Sequence, residues 1–227
     1  MAVGQIRLGV IFVSNKLRIV FEKGEGIRFI GHLDILRTFI RGLKRANMPV
    51  KYSEGFNPHA VMTFALPMGV GVTSECEIMD VTFAKNVPAD EVIEAINTNM
   101  QAGSIRVISA EYTDKPMPEI EKAEYVIDIL NEGKLNIDDV KNALLEKEII
   151  VDKKSKKQIK QINIIEHIFE SEILSYNENS LKIRLVISAG NSFNVKSSVV
   201  IDGLAGVAES LNPVGVKAHR TKFLFKG

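Results

Sequence analysis

Four cations lie at helical spacing in the first third of the chain. Arg37, Arg41, Lys44 and Arg45 occupy positions i, i+4, i+7 and i+8, which places them on one flank of an α-helix. Like charges this close repel one another, so the arrangement costs stability unless an anion binds there. The pattern predicts a contact surface for a phosphate backbone. The alternative is a basic face that only keeps the helix solvated.

A second basic segment, KKSKKQIK, covers residues 153–160 and contains no acid. Lysine offers a point charge to a phosphate rather than a fork to a base edge. The residues predicted to contact nucleic acid here are Lys153, Lys154, Lys156, Lys157 and Lys160. A solvated hairpin or loop tip is the alternative. Arg220, in the run KAHRTK near the C-terminus, is assigned the same phosphate-binding role.

The segment YSEGFNPH, residues 52–59, combines turn-forming residues with two aromatics and a histidine. Phe56 could stack on an unpaired base, although an aromatic beside a turn is more commonly part of a core. Histidine titrates near neutrality. Together with Tyr52, the pair His32 and His59 could therefore form a metal-free site that cleaves RNA. Sequence spacing does not tell whether these two histidines are close in space.

Several other kinds of chemistry are disfavoured by the residues present. The four histidines have no metal-ligand spacing, and no Gly-x-Ser-x-Gly elbow or phosphate-cradling glycine loop occurs. Cys76 is the one cysteine, which excludes an internal disulfide, a cysteine zinc site and an iron–sulfur cluster. We therefore expect no metal and no cofactor. The presence of a single cysteine and the lack of a membrane-spanning apolar run favour a cytoplasmic location for the protein.

The elements that must position these groups follow a βαββαβ order. Alternation at Leu17, Ile19 and Phe21 predicts a strand. Residues 33–46 read as a helix whose core stripe is Leu36, Phe39, Ile40 and Leu43. Further strands are predicted at 60–66, 77–83 and 105–112, with a helix after Pro88.

A proline-rich segment at residues 115–119 reads as a linker, and the same order of elements recurs after it. A final helix is predicted at 195–211, although Gly203 and Gly206 weaken it. We predict an α+β protein of two tandem ferredoxin-like βαββαβ plaits. The N-terminal domain would cover residues 1–115, with a short N-terminal extension, and the C-terminal domain residues 120–227.

The net charge of +1 over 227 residues hides a strong separation of charge. The windows 28–51, 153–160 and 217–226 hold 15 basic residues and one acid, whereas the remainder holds 14 basic and 27 acidic residues. Near-neutrality is thus a cancellation. It does not argue against a polyanionic partner.

Several segments together resemble the radical-SAM-linked domain family. They are RFIGHLD (28–34), FIRGLKRA (39–46), YSEGFNPH (52–59), FALPMGVG (64–71) and HRT (219–221). Gly31 and Ala60 depart from the serine and proline expected there, which affects a helix cap and a turn. The family is bacterial and is found beside, or fused to, a radical SAM protein. The resemblance implies a separate radical SAM partner and supplies no established catalytic residue.

These observations lead to one main hypothesis and two alternatives. The main hypothesis is a non-catalytic RNA-binding accessory module that acts with a separate radical SAM enzyme in RNA modification. The first alternative is a metal-free endoribonuclease, since tandem plaits with a basic helix also resemble CRISPR-RNA-processing enzymes in fold. The second is a protein-interaction module that docks on the radical SAM partner. We expect no membrane partner.

Overall fold

A computed structural model describes residues 14–67, 69–154, 159–190 and 193–227. Within these ranges the chain forms ten strands and four α-helices. The strands are β1 Lys16–Lys23, β2 Met62–Phe64, β3 Val72–Thr82, β4 Ile105–Tyr112, β5 Ile120–Asn131, β6 Ile150–Lys154, β7 Ile159–Asn163, β8 Ile168–Asn177, β9 Ser180–Ser188 and β10 Pro213–Phe225. The helices are α1 His32–Arg45, α2 Ala89–Asn99, α3 Ile137–Leu145 and α4 Ser197–Ala205. None of these described helices is long and apolar enough to cross a bilayer.

The N-terminal half packs α1 and α2 against strands β4, β1 and β3. Leu17, Ile19 and Phe21 of β1 are fully buried, as expected for an alternating strand with one covered face. The Phe21 ring meets the Phe39 ring of α1 edge to face, with centroids 4.8 Å apart. The odd-numbered side chains of β1 therefore point toward the helices.

The buried stripe of α1 is rotated relative to the predicted one. Phe39 and Leu43 are buried as expected, but Ile35 is buried as well, whereas Leu36 and Ile40 are only half-buried. Helix α1 packs against α2 as well as the sheet, so its buried face is wider than a single contact would require.

The C-terminal half packs α3 and α4 against strands β10, β5 and β9, and β8 forms the outer edge. Buried residues of α3 and α4 share one core with the odd-numbered side chains of β5, Ala123 to Ile129. Asn136 caps α3 by accepting a hydrogen bond from the Asp138 N–H at 3.2 Å. Strands β6 and β7 form a separate two-stranded hairpin.

The two halves share one mixed sheet of eight strands. Its order is β4-β1-β3-β10-β5-β9-β8, and β2 pairs with the far end of β3. Only β3 and β10 are parallel among these pairs, through residues 72–74 and 218–220. The α+β class is confirmed, and the proline-rich segment does lie between β4 and β5. The finer arrangement, two tandem plaits, stays a prediction.

Helix α4 is shorter than the predicted 195–211. The Val195 N–H bonds the Ser188 carbonyl at 3.0 Å and so belongs to the loop after β9. Gly206 ends the helix in a turn that bonds back to Asp202 and Gly203. Gly203 lies against the β6–β7 hairpin: a Cβ there would come 2.5 Å from Ile164 Cδ1 and 2.8 Å from Val151 Cγ1. The glycine therefore permits a close helix–hairpin contact.

Gly203→Ala should destabilise the protein by about 1–2 kcal/mol, because overpacking outweighs the gain in helix propensity. Urea unfolding followed by circular dichroism measures the change. Ser198→Ala is the matched control, since Ser198 is exposed in the same helix and its replacement should change stability by less than about 0.5 kcal/mol. A more stable Gly203→Ala protein would contradict the close contact.

Candidate nucleic-acid interface

The exposed side of α1 carries the four predicted cations. Asp34 lies in the first turn and two basic residues lie in the last, as the helix dipole favours. Asn47, with φ of 55°, turns the chain out of the helix in the left-handed conformation that asparagine tolerates. Since Phe39 and Leu43 hold the opposite side in the core, the cations must face solvent. We call Arg37, Arg41, Lys44 and Arg45 the α1 face.

The four cations differ in how they are partnered. Arg37 donates to Asp34 at 2.8 Å, but both side chains are about 60% exposed, so this pair adds little stability. Arg45 donates to the Asn99 carbonyl at the end of α2. Arg41 and Lys44 make no ion pair or side-chain hydrogen bond within the described part of the chain. The α1 face therefore offers positive charge that is only partly neutralised.

Exposed aromatic residues precede and follow α1 in the chain. Phe56 is fully exposed in the loop after α1, next to Gly55, whose φ is 112°. Tyr52 is exposed and lines a shallow cavity of about 280 Å³ together with Lys44. At the other end of α1, Phe29 is 72% exposed. Cations interleaved with exposed aromatic rings are typical of surfaces that bind single-stranded nucleic acid.

The histidines proposed as an acid–base pair are held by different neighbours. The His32 ring packs edge to face on Phe64 with centroids 4.8 Å apart, and its Nδ1 is buried without a hydrogen-bond partner among the described residues. Burial lowers the pKa of His32, with Glu77 opposing the effect. His59 is exposed, and its Nδ1 lies 2.9 Å from Ser53 Oγ. No hydrogen bond or ring contact joins His32 to His59 or Tyr52 in the described ranges.

The lysine-rich segment lies on the β6–β7 hairpin. Lys156 and Lys157 fall outside the described residues, and for Lys154 only the backbone, at the end of β6, is described. Lys160 is exposed on β7. The Lys153 ammonium lies 3.8 Å from the Phe193 ring centroid, and burial lowers its pKa, with Lys160 adding to the effect. The Lys153 side chain is thus partly buried against Phe193.

Arg220, expected at the surface, is instead buried and only 4% exposed. Its Nη1 donates to Glu77 at 2.6 Å and its Nε to the Tyr125 hydroxyl at 3.0 Å. Even-numbered positions of β10 at this point face the helices, because Ala218 is also buried. A basic residue in a basic run looks exposed in the sequence, but the β10 alternation places it inside.

Arg220 belongs to a row of side chains that crosses the sheet. Ser74 is the register partner of both Lys23 and Arg220, and Arg220 pairs in turn with Tyr125. We call Lys23, Ser74, Arg220 and Tyr125 the interior row. Lys23 is 1% exposed and donates to the carbonyls of Arg28 and Gly69 at 3.1 and 2.8 Å.

Two buried charged residues, Lys23 and Glu77, were not predicted from the sequence. Lys23 continues the alternation of Leu17, Ile19 and Phe21, so the period of β1 already places it on the covered face. Glu77 carried no comparable signal, because the irregular pairing between β1 and β3 near this point changes the phase of β3. Cys76 lies beside Glu77, and burial raises the pKa of its thiol to about 12. No group of three or more histidine, cysteine or acidic side chains in the described ranges could hold a metal ion.

Burial lowers the pKa of Lys23 from 10.5 to about 8; Glu77 opposes this, and Arg220 and Arg28 add to it. Between these two values the unfolded chain binds more protons than the folded protein, so the Lys23 contribution makes stability rise with pH. We expect the free energy of unfolding of the wild type, relative to Lys23→Met, to increase by about 1 kcal/mol from pH 7 to pH 9. Urea titrations at both pH values test this; parallel pH curves for the two proteins would contradict it.

The comparisons with known proteins identify a family and a distant likeness in fold. The family model described as "Uncharacterized protein conserved in bacteria (DUF2344)" matches residues 16–197. No curated protein sequence matches the chain.

Two of three similar solved structures are complexes of Cbf5, and the third is an H/ACA RNP. They are a Cbf5-Nop10-Gar1 complex (12% identity, TM-score 0.49, covering 93% of this chain and 50% of that chain), the archaeal box H/ACA sRNP Nop10-Cbf5 complex (10%, 0.48, 94% and 49%) and an H/ACA RNP bound to a substrate RNA containing 2'-deoxyuridine (12%, 0.49, 91% and 47%). The chain thus spans about half the length of each matched chain.

Proposed function

The chain belongs to the bacterial family DUF2344, and we propose that it is an RNA-binding accessory module that acts with a separate radical SAM enzyme in RNA modification. The observation that carries the RNA-binding part is the α1 face. Its cations are exposed, Arg41 and Lys44 have no acidic partner among the described residues, and exposed aromatic rings lie beyond both helix ends. A phosphate backbone would neutralise this charge, and the rings would stack on bases.

The proposal of a radical SAM partner rests on the resemblance of the sequence motifs to the radical-SAM-linked domain family. One cysteine cannot ligate an iron–sulfur cluster, and burial keeps the thiol of Cys76 protonated at neutral pH. Any radical chemistry therefore lies outside these 227 residues. This chain would supply the surface that holds the RNA.

We propose further that the sheet consists of two ferredoxin-like units, residues 1–115 and 120–227. Two strand orders support this division. In the first unit β1 lies between β4 and β3, and β2 pairs with β3; in the second, β5 lies between β10 and β9, and β8 pairs with β9. Each unit then has the order of its own strands 4-1-3-2, and the β6–β7 hairpin is an insertion after α3.

The α1 face should make RNA binding depend on salt. For a single-stranded RNA oligonucleotide, each phosphate contact contributes about −0.7 to the slope of log affinity against log salt. Replacing Arg41 and Lys44 together by glutamine should reduce the magnitude of the slope by about 1.4. Fluorescence anisotropy over a salt series measures it.

The matched control replaces Lys85 and Lys147, two exposed lysines elsewhere on the surface, by glutamine. This control should keep the wild-type slope. A wild-type slope near zero, or no binding at low salt, would contradict the proposal and favour the protein-interaction alternative. Copurification of a partner that survives nuclease treatment would point the same way.

Phe56 should contribute stacking energy without contributing to stability. Phe56→Ala should weaken the binding of single-stranded RNA by about 1–3 kcal/mol and leave the thermal midpoint unchanged, because the ring is fully exposed. Phe169→Ala is the control, since this phenylalanine is exposed on β8 at the outer part of the sheet. Equal affinities for the two variants and the wild type would remove Phe56 from the interface.

A further inference from the structure

A cleft of about 530 Å³ lies between the two halves of the protein, above the middle of the sheet. One wall is the segment from Gly69 to Val72, which leads into β3, and the opposite wall is the start of α4. Arg220 and Val216 of β10 line the cleft together with Tyr125 of β5. Its volume is in the range of pockets that hold small organic ligands.

The interior beside this cleft carries more positive than negative charge. Lys23, Arg28 and Arg220 are buried, and Glu77 and Asp80 are the buried acids. Asp80 pairs with Arg18 at 2.8 Å, Glu77 pairs with Arg220, and Arg28 lies 3.7 Å from the exposed Glu25 carboxylate. Lys23 donates its hydrogen bonds to two carbonyl groups and forms no ion pair within the described residues.

The residues that line the cleft add no negative charge of their own. Neither aspartate nor glutamate is among the described residues of its walls. The guanidinium of Arg220 uses Nε and Nη1 for Tyr125 and Glu77, and Nη2 makes no hydrogen bond to any described residue. A positive potential with a spare donor therefore faces the cleft.

The start of α4 contributes further donors to the same space. Lys196, the N-cap residue, is exposed and has no ion pair within the described ranges. Ser197 is 5% exposed and lines the cleft, yet its hydroxyl makes no hydrogen bond to any residue that the structure describes. The first N–H groups of a helix lack intrahelical acceptors and attract anions. The Ser197 hydroxyl, which lines the cleft, is therefore free to donate to a ligand that accepts hydrogen bonds.

We propose that this cleft binds the phosphate group of a phosphomonoester. Arg220, Lys196 and Ser197 would donate to the phosphate oxygens, and Val70, Val72 and the other apolar side chains would cover the organic part. The site uses no residue of the α1 face, so the inference goes beyond the proposed RNA-binding surface. The same phosphate chemistry is offered by a free nucleoside monophosphate and by the 5′ end of an RNA strand.

Calorimetric titration of the whole chain with adenosine monophosphate, adenosine and inorganic phosphate, at constant ionic strength, tests the site. We expect adenosine monophosphate to bind and to raise the thermal midpoint, since a ligand of the native state stabilises it, and adenosine to do neither. A second arm compares 5′-phosphorylated with 5′-hydroxyl RNA oligonucleotides. Tighter binding of the phosphorylated strand alone would identify the RNA end as the source. If no phosphate-bearing probe binds in preference to its phosphate-free counterpart, the proposal is overturned.

Variants of the α4 start locate the binding. Lys196→Glu and Ser197→Ala should each weaken the phosphate-bearing probe, the former by about tenfold or more, as expected when a hydrogen bond from a charged donor is lost. Lys217→Glu is the control, because Lys217 is exposed on β10 but lines a different cavity. Unchanged affinity in both α4 variants would overturn the assignment.

The double replacement of Arg41 and Lys44 by glutamine separates this proposal from the RNA-binding one. This variant should bind adenosine monophosphate with an affinity within about twofold of the wild type, whereas its affinity for RNA should fall. Loss of RNA binding to the α1 face alone would refute only the proposed function, and loss of adenosine monophosphate binding in this variant would count against a separate cleft.

Discussion

The two halves of the sheet meet along only three register pairs, and the buried ion pair between Arg220 and Glu77 lies at that junction. The junction also buries apolar side chains, because Ala65, Leu66 and Ile78 of the first half belong to the hydrophobic core of the second half, and this ion pair is the charged contact beside them. Arg28 reinforces it by donating to the Val216 carbonyl at 2.8 Å and to the Gly71 carbonyl at 3.0 Å. A buried pair of this kind adds little net stability, but losing one partner costs about 3–5 kcal/mol. The relative position of the halves, and hence the cleft, depends on it.

Local patterns were sufficient to predict the elements that lie on either side of this junction. The alternation of apolar residues predicted β1, and helical spacing predicted α1 with its exposed cations. Both patterns depend only on residues a few positions apart in the chain. The buried stripe of α1 also includes Ile35, which the helical spacing alone did not select. Arg41, Lys44 and Phe56 are exposed, and their contact with nucleic acid stays a prediction.

The junction itself could not be predicted in the same way. Glu77 and Arg220 are 143 residues apart, and a parallel contact between two halves leaves no local signature. Arg220 sits in a basic run that is typical of a surface, and only the pairing of β10 with β3 and β5 buries it. Lys23 is an intermediate case: its alternation with Phe21 predicts an inward side chain, but a charged residue in that position is normally assigned to the end of a strand.

The two outer faces of the molecule differ in how their charges are paired, and this difference decides which face attracts a polyanion. On the face of the sheet opposite the helices, Arg184 contacts three carboxylates, those of Glu124, Glu170 and Glu172, at 2.9–3.0 Å. On the same side Lys182 of β9 pairs with Asp128 of β5 at 3.1 Å, and Lys122 lies over the Phe169 ring, so each of these carboxylates has a cationic partner. The α1 face lies on the helical side, with its positive charge only partly compensated. A chain with a net charge of +1 thus still presents one side whose cations Arg41 and Lys44 lack acidic partners among the described residues, and the proposed RNA-binding surface is this side.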